Sequence, residues 1–355
     1  MPLLPNATPP LETDVAIIGA GPVGLFAVFE LGLLGLSAQV IDALPRIGGQ
    51  PVELYADKPI YDIPGVQVCT GQELADRLAQ QITPFHAPLH LGHRVDALVR
   101  QEDGRFLLTT RQGMRLLAKA VFIAAGVGAF EPKRLKIEGL DALENHHLFY
   151  AAPSMEQMAK WVGQHLVIIG GEDLALEQAI RIATASSPKP SSVTLLHRRD
   201  GFQAEPATVE RFRALCAEGR LKFAIGQAQG FDAPASRLTA LHVLGSDGQV
   251  GPLPADALLV LQGFSPKLGP IADWHLAMER KQLVVDTEKF QTSEPGVFAM
   301  GDVNTYPGKR KLILSGFHEA TLAAFAIAEQ LAGTPVPLQY TTSSTLLHKR
   351  LGLAP

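Results

Sequence analysis

Cysteine is almost absent from this chain: among 355 residues only Cys69 and Cys216 occur, far apart. That scarcity excludes a disulfide framework, a cysteine-rich zinc site and a C-x-x-C redox motif, and no metal centre is expected. No apolar run approaches the roughly 20 residues needed to cross a bilayer, so no membrane partner is expected. Positive charge is not in excess either. Lys and Arg total 31 against 35 Asp and Glu, a formal net charge of -4, which argues against bulk attraction to nucleic acid. The stretch Met1 to Glu12 holds four prolines and no basic residue. It is unlike a signal or transit peptide and reads as a short disordered leader, which leaves a cytoplasmic location as the default. No short-period repeat or low-complexity tract is found.

What is present is globular. The composition is 46% hydrophobic and 19% charged, ample for a sizeable core, and the length suits two domains at roughly 150 residues each. Asp14–Gly19 is a continuous apolar run ending in glycine, which predicts a buried parallel strand. Val23–Leu36 is apolar and free of proline, hence helical, and Ala38–Ile41 predicts a second strand. Leu74 and Leu78, at i, i+4 spacing, predict a helix over Thr70–Gln81. From His93 to Ala125 short strands alternate with turn signals. A second strand–glycine–helix unit starts at His165, with its helix running through Ile182 and a strand at Val193–Leu196 beyond a Pro/Ser-rich loop. An apolar helix over Ala320–Leu331 closes the chain.

The first βαβ unit carries Gly19-Ala20-Gly21-Pro22-Val23-Gly24, a G-x-G-x-x-G directly after a strand and opening a helix. The first glycine makes the tight turn, the second lets backbone approach a pyrophosphate, and the third lets helix and strand pack closely. Free N–H groups and the positive dipole end at the helix start favour an anion there. Asp42 ends the second strand, eighteen residues after Gly24, where an acidic side chain can hold a ribose hydroxyl. Strand, helix and acid together make this a dinucleotide site, without separating NAD from FAD.

Further motifs make that separation. Gly48-Gly49-Gln50 follows the acid, VFIAAG spans 121–126, and V-F-A-M-G-D spans 297–302 with Thr292 upstream. Together they resemble the FAD-binding set of the two-dinucleotide-domain flavoproteins. Around GGQPVELYADKPIYDIPG (48–65), GVGAF (126–130), GFSPKLGPI (263–271) and GDVNTYPGKRKLILSGFHEA (301–320) the chain is similar to the thioredoxin-reductase-like ferredoxin/flavodoxin–NADP(+) reductases, from Asp14 to the C-terminus. The resemblance implies an α/β fold of two Rossmann-like domains. An FAD-binding domain would cover about 1–131 plus 261–355, with an NADP-binding domain inserted at 132–260 and crossings near Pro132 and Gln262-Gly263. Two linkers would then permit domain rotation. Homodimers are usual in that family.

By the same resemblance FAD would be held by Gly19, Gly21, Pro22, Gly24, Asp42, Gln50 and Asp302, the last on the ribityl chain. Tyr55 would stack on one face of the isoalloxazine, as an aromatic plane can beside an electron-poor ring. Tyr340 would cover the other face, Ser343 would lie near the flavin, and Val95 and Phe130 would line the adenine and isoalloxazine sides. His318 and Glu319 fall where the family starts a helix aimed at the flavin, and a capping or packing role competes there with a catalytic one. No acid–base residue is required, because the cofactor carries the chemistry: NADPH would pass a hydride to the flavin, which would give single electrons to a ferredoxin or flavodoxin.

Relatives that reduce thioredoxin carry C-x-x-C shortly before the second glycine motif, and here 145–163 contains no cysteine. A dithiol relay cannot exist without thiols. NADPH would dock on Gly170 and Gly171, with Arg198 and Arg199 forking onto a 2′-phosphate, unless these arginines are simply a solvated basic pair. The usual G-G-G-D-S-A reads Gly170-Gly171-Glu172-Asp173-Leu174-Ala175, and the third arginine of the family is Gln203. Glu172 adds bulk and negative charge where phosphates belong. Two readings stay open: Glu172 swings aside and NADPH binds, or the chain is an FAD-holding relative with impaired NADPH binding, a redox sensor or binding protein. Lys309-Arg310-Lys311 and His348-Lys349-Arg350 are each either a docking patch for an acidic carrier or a solvated face.

Overall fold

The computed structural model describes residues 9–186 and 189–353; the side chains of 129–131 and 264–267, Phe130 among them, lie outside the described set. The chain divides into two compact units, Met1–Ala129 with Pro266–Pro355, and Phe130–Ser265.

In the first unit, β1 is Leu11–Ile18, so Leu11 and Glu12 are strand residues and not part of the expected leader, whose first eight residues lie outside the described set. Its alternating side chains serve two cores: Val15 and Ile17 pack on one face, Ala16 and Ile18 on the other. A strand buried on both faces has to be apolar throughout, which is the pattern read from the sequence. The helix α1 (Pro22–Leu34) starts on proline, whose fixed φ suits the first helical position. It ends before the expected Leu36, because Gly35 at φ 78 turns the backbone left-handed and sends its N–H to Gly32. Next come β2 (Ala38–Asp42), α2 (Gly49–Tyr55) and α3 (Gly71–Gln81). Thr70 is not in α3; its hydroxyl and Glu73 form a reciprocal capping box at the helix start. The strands β3 (Leu89–Leu91), β4 (Val95–Arg100), β5 (Phe106–Thr110) and β6 (Arg115–Ile123) complete this part, in the order β3-β2-β1-β6-β5-β4. Pairing is parallel from β3 to β6 and antiparallel from β6 to β4.

The second unit has its own sheet. It contains β7 (Leu148–Phe149), β8 (His165–Ile169), α4 (Asp173–Thr184), β9 (Ser192–His197), α5 (Pro206–Ala217), β10 (Lys222–Asp232), β11 (Ala240–Gly245), β12 (Val250–Pro254) and β13 (Ala257–Val260). The order is β7-β13-β8-β9-β10-β11-β12, parallel as far as β10. Leu166 and Ile168 face one core, Val167 and Ile169 the other.

The chain then returns to the first unit. β14 (Val297–Ala299) pairs in parallel with β6, and α6 (Ile313–Ala332) packs along α1. This helix starts well before the expected Ala320. Gly316 lies inside it, where a Cβ would lie 2.4 Å from the Val23 side chain. A short helix, α7 (Thr345–Arg350), follows.

Candidate functional site

The first glycine loop is shaped by contacts that exclude side chains. A Cβ on Gly24 would fall 1.9 Å from the Gly19 carbonyl oxygen, and one on Gly19 (φ +116) would fall 2.4 Å from that of Ala124. Gly21 differs. It has ordinary φ (−74) and its nearest neighbour would be the Gly49 Cα at 3.9 Å, so its open side is a backbone-lined cradle. Gly21 is the N-cap of α1 and offers no side-chain cap, so the N–H groups of the first turn face outward with the helix dipole behind them. The N–H of Gly48 donates to Ala20 at 2.9 Å, tying α2 to the loop.

Asp42 lies where the sequence predicts it, at the end of β2. Its carboxylate accepts the Ala20 N–H at 2.6 Å and the Leu44 N–H at 2.7 Å, so it already braces the glycine loop. Burial raises its pKa, and these two bonds partly counter that. The N–H of His93 donates to the Asp42 carbonyl at 2.8 Å, bringing the start of β4 alongside. Val95 is buried there at 5% exposure, in a core cluster with Ile18 and Ile41.

Gln50 and Tyr55 both lie on α2, partly buried. The Tyr55 hydroxyl is held above its usual pKa, first by burial and then by the negative fields of Asp302 and Asp62. The structure therefore brings Tyr55 and Asp302 into one neighbourhood. Asp302 sits in a tight turn, Gly301–Val303, and its carboxylate makes no hydrogen bond among the described residues. Tyr340 is 65% exposed and has no ring partner among the described residues. The Ser343 N–H donates to the Tyr340 carbonyl at 3.1 Å, and no described bond joins either residue to Tyr55 or Asp302.

Sequence reasoning missed how that turn is held. Glu319, fully buried on α6, accepts the Gly301 N–H at 2.7 Å, Asn304 Nδ2 at 2.9 Å, the Tyr306 hydroxyl at 2.8 Å and Lys309 Nζ at 2.5 Å. Lys309 itself is 7% exposed. This corrects the basic run at 309–311: its first member is an internal counter-ion, and only Arg310 and Lys311 are on the surface. Burial lowers the Lys309 pKa against the pull of Glu319, and burial with Glu319 pushes the Tyr306 hydroxyl up to about 12. Removing one partner of such a buried pair costs about 3–5 kcal/mol. The second run loses a member too. Arg350 donates to the Leu33 carbonyl and covers Gly35, capping the negative end of α1. His318 is exposed, 6.2 Å from the Phe290 ring. Only the SGFHEA string hinted at Glu319, and nothing local marked Lys309 as buried.

In the second unit, a Cβ on Gly170 would fall 2.2 Å from the Leu261 carbonyl oxygen, and one on Gly171 would run into the His197 ring. Glu172 is the exposed N-cap of α4, without a capping bond. Its carboxylate lies against Gly263, 2.9 Å from where a Cβ would stand. Glu172 and Gln203, two of the three departures from the family pattern (Leu174 is the third), are bridge partners, with the Gln203 N–H donating to Gly171 at 2.8 Å. Leu174 is 37% exposed. Arg198 and Arg199 project from the end of β9, exposed and without an ion pair among the described residues. His197 is held below its usual pKa, by burial first and then by both arginines.

The model for pyridine nucleotide-disulphide oxidoreductases matches residues 13–325. The chain belongs to that family. It is 54% identical over 345 residues to the ferredoxin–NADP reductase of Polaromonas naphthalenivorans, covering 97% of this chain and 93% of that one. It is also 54% identical over 349 residues to the ferredoxin–NADP reductase of Albidiferax ferrireducens, covering 98% of each. Among solved structures, the thioredoxin reductase of T. acidophilum shares the fold, with a TM-score of 0.60 at 22% identity over 90% of this chain and 99% of that chain. Both cysteines here are free, Cys69 buried in the first unit and Cys216 on α5 in the second.

Proposed function

We propose that this chain is an FAD-dependent ferredoxin- or flavodoxin–NADP(+) reductase that works without a redox-active cysteine pair. The observation that carries the reading is the open cradle at Gly21 beside the Tyr55–Asp302 neighbourhood, in a chain 54% identical to proteins named ferredoxin–NADP reductase. The residues fit the cofactor. The first turn of α1 would take the pyrophosphate, Asp42 the ribose, Asp302 the ribityl chain, and Tyr55 one ring face, with Gly19, Pro22, Gly24 and Gln50 shaping the cradle and its rim. By family resemblance alone, Val95 and Phe130 are assigned to the adenine and isoalloxazine sides, Tyr340 to the second ring face and Ser343 to a place near the flavin. When bound, FAD supplies the two-electron to one-electron conversion that no side chain can perform.

The units Met1–Ala129 with Pro266–Pro355 and Phe130–Ser265 are assigned to FAD and NADPH respectively. Gly170 and Gly171 would receive the NADPH pyrophosphate, and Arg198 and Arg199 its 2′-phosphate, whose charge these unpaired cations suit. A cytoplasmic homodimer is part of the proposal; among the described residues no helix is long and apolar enough to cross a membrane.

The test is rapid mixing of the oxidised, FAD-loaded protein with NADPH and NADH. Flavin absorbance should bleach within about a second with NADPH, and ferredoxin should then be reduced; rates of this order follow from turnover numbers near 10 per second. The exposed carboxylate of Glu172 favours one alternative, an FAD-holding protein impaired in NADPH binding. A yellow protein that NADPH cannot bleach selects it. A colourless protein that takes up no FAD refutes both.

A further inference from the structure

The turn that carries Asp302 is fixed from inside the protein by a single carboxylate, and the division of labour between its two oxygens is informative. Glu319 Oε2 faces the turn, accepting from Gly301 N–H and Asn304 Nδ2, and Asn304 Nδ2 also reaches the Ala299 carbonyl at 2.8 Å. Glu319 Oε1 accepts from Tyr306 and Lys309. One oxygen therefore holds backbone beside Asp302 and the other is neutralised. Both side chains of the ion pair are almost wholly removed from water, where an unpaired charge is strongly disfavoured and a matched pair is tolerated. From the other side, Gln282 Nε2 donates to the Asp302 and Asn304 carbonyls at 3.1 and 2.8 Å. The Val23 side chain, from the first turn of α1, lies against both Gly301 and Gly316. The Glu319 clamp thus couples the start of α1, the Asp302 turn and α6 into one assembly.

We propose that Glu319 and Lys309 act together as a neutral clamp that positions Asp302 for the bound flavin. They are positioning residues that touch no substrate. The inference rests on the reading above, in which Asp302 faces the ribityl chain of FAD.

A double-mutant cycle tests it, because the two charges must fail separately and recover together. Glu319→Gln sets an amide donor against the Lys309 ammonium, and Lys309→Met leaves a buried carboxylate unpaired. In the double variant the substituted amide can still accept from Gly301 and Asn304 and can donate to the Tyr306 hydroxyl. Each single variant should weaken FAD binding by at least about tenfold and alter the visible circular dichroism of the flavin, and the double variant should return to within about threefold of wild type. In the apoproteins, exchange of the Gly301 amide should quicken by about tenfold or more in the single variants and slow again in the double.

Single variants that bind FAD with wild-type affinity, spectrum and Gly301 protection overturn the clamp, as does a double variant no better than the worse single. Should a single variant not fold, a double variant that folds and binds FAD supports it, and one that folds without binding FAD overturns it. A wild-type chain that takes up no FAD refutes the flavin reading, and this inference with it. Wild-type binding alongside unaltered variants refutes the clamp alone.

Discussion

Two glycines in one loop should respond to the same substitution in opposite ways. Gly24→Ala introduces a methyl 1.9 Å from the Gly19 carbonyl oxygen and 3.0 Å from its carbon. Ordinary contact starts near 3.4 Å, so backbone has to separate by roughly 1.5 Å where α1 meets β1, and overpacking of this kind costs about 1–3 kcal/mol. Gly21→Ala meets nothing nearer than 3.9 Å and needs no change of φ, so the apoprotein should lose about 1 kcal/mol or less, the penalty of alanine at an N-cap. The added methyl nevertheless occupies the cradle. Holding a phosphate away from the α1 N–H groups should forfeit one or two charge-assisted hydrogen bonds, each about 1.5–3 kcal/mol, and weaken FAD binding by roughly ten- to a hundredfold or more. Thermal unfolding of the apoproteins and FAD fluorescence titration separate the two effects. A Gly21→Ala protein that binds FAD as tightly as wild type would refute the placement of the pyrophosphate.

Glu172→Gly should speed flavin bleaching by NADPH roughly three- to tenfold, the scale of one screened surface charge; an unchanged rapid-mixing rate would clear Glu172 of hindering the nucleotide. Arg198→Ala with Arg199→Ala should raise KM for NADPH about tenfold or more and leave KM for NADH nearly unaltered, read from steady-state diaphorase assays. His197 has a folded pKa held below the ordinary imidazole value, so the stability it contributes is present above that ordinary value and is lost as pH falls through the folded pKa. His197→Gln should flatten the fall in melting temperature between pH 8 and 5, and an equal slope in both proteins would contradict the assignment.

Much of the site was legible in the sequence because its constraints are local. The turn at Gly19, the close packing at Gly24 and the strand-ending Asp42 follow from backbone sterics over a few residues, and such sterics leave a fixed spacing. Both βαβ units and the lack of a dithiol were readable for the same reason. Helix ends were less so. The helix expected from Ala320 in fact starts at Ile313, with Gly316 packed against the Val23 side chain, and Leu36 reads as helical until Gly35 is seen to turn left-handed.

The amino-acid order by itself determined which turns are possible, which segments must be buried and that no C-x-x-C pair is present. Only the tertiary structure decided what the charges do. Lys309, Arg310 and Lys311 look equivalent in the sequence, yet one is an internal counter-ion and two are solvated. Arg350 reads as surface charge and caps a helix from the far end of the chain. The physical reason is that backbone geometry is set by neighbours in sequence, whereas the energy of a charge is set by the solvent and partners around it, and long-range packing chooses both.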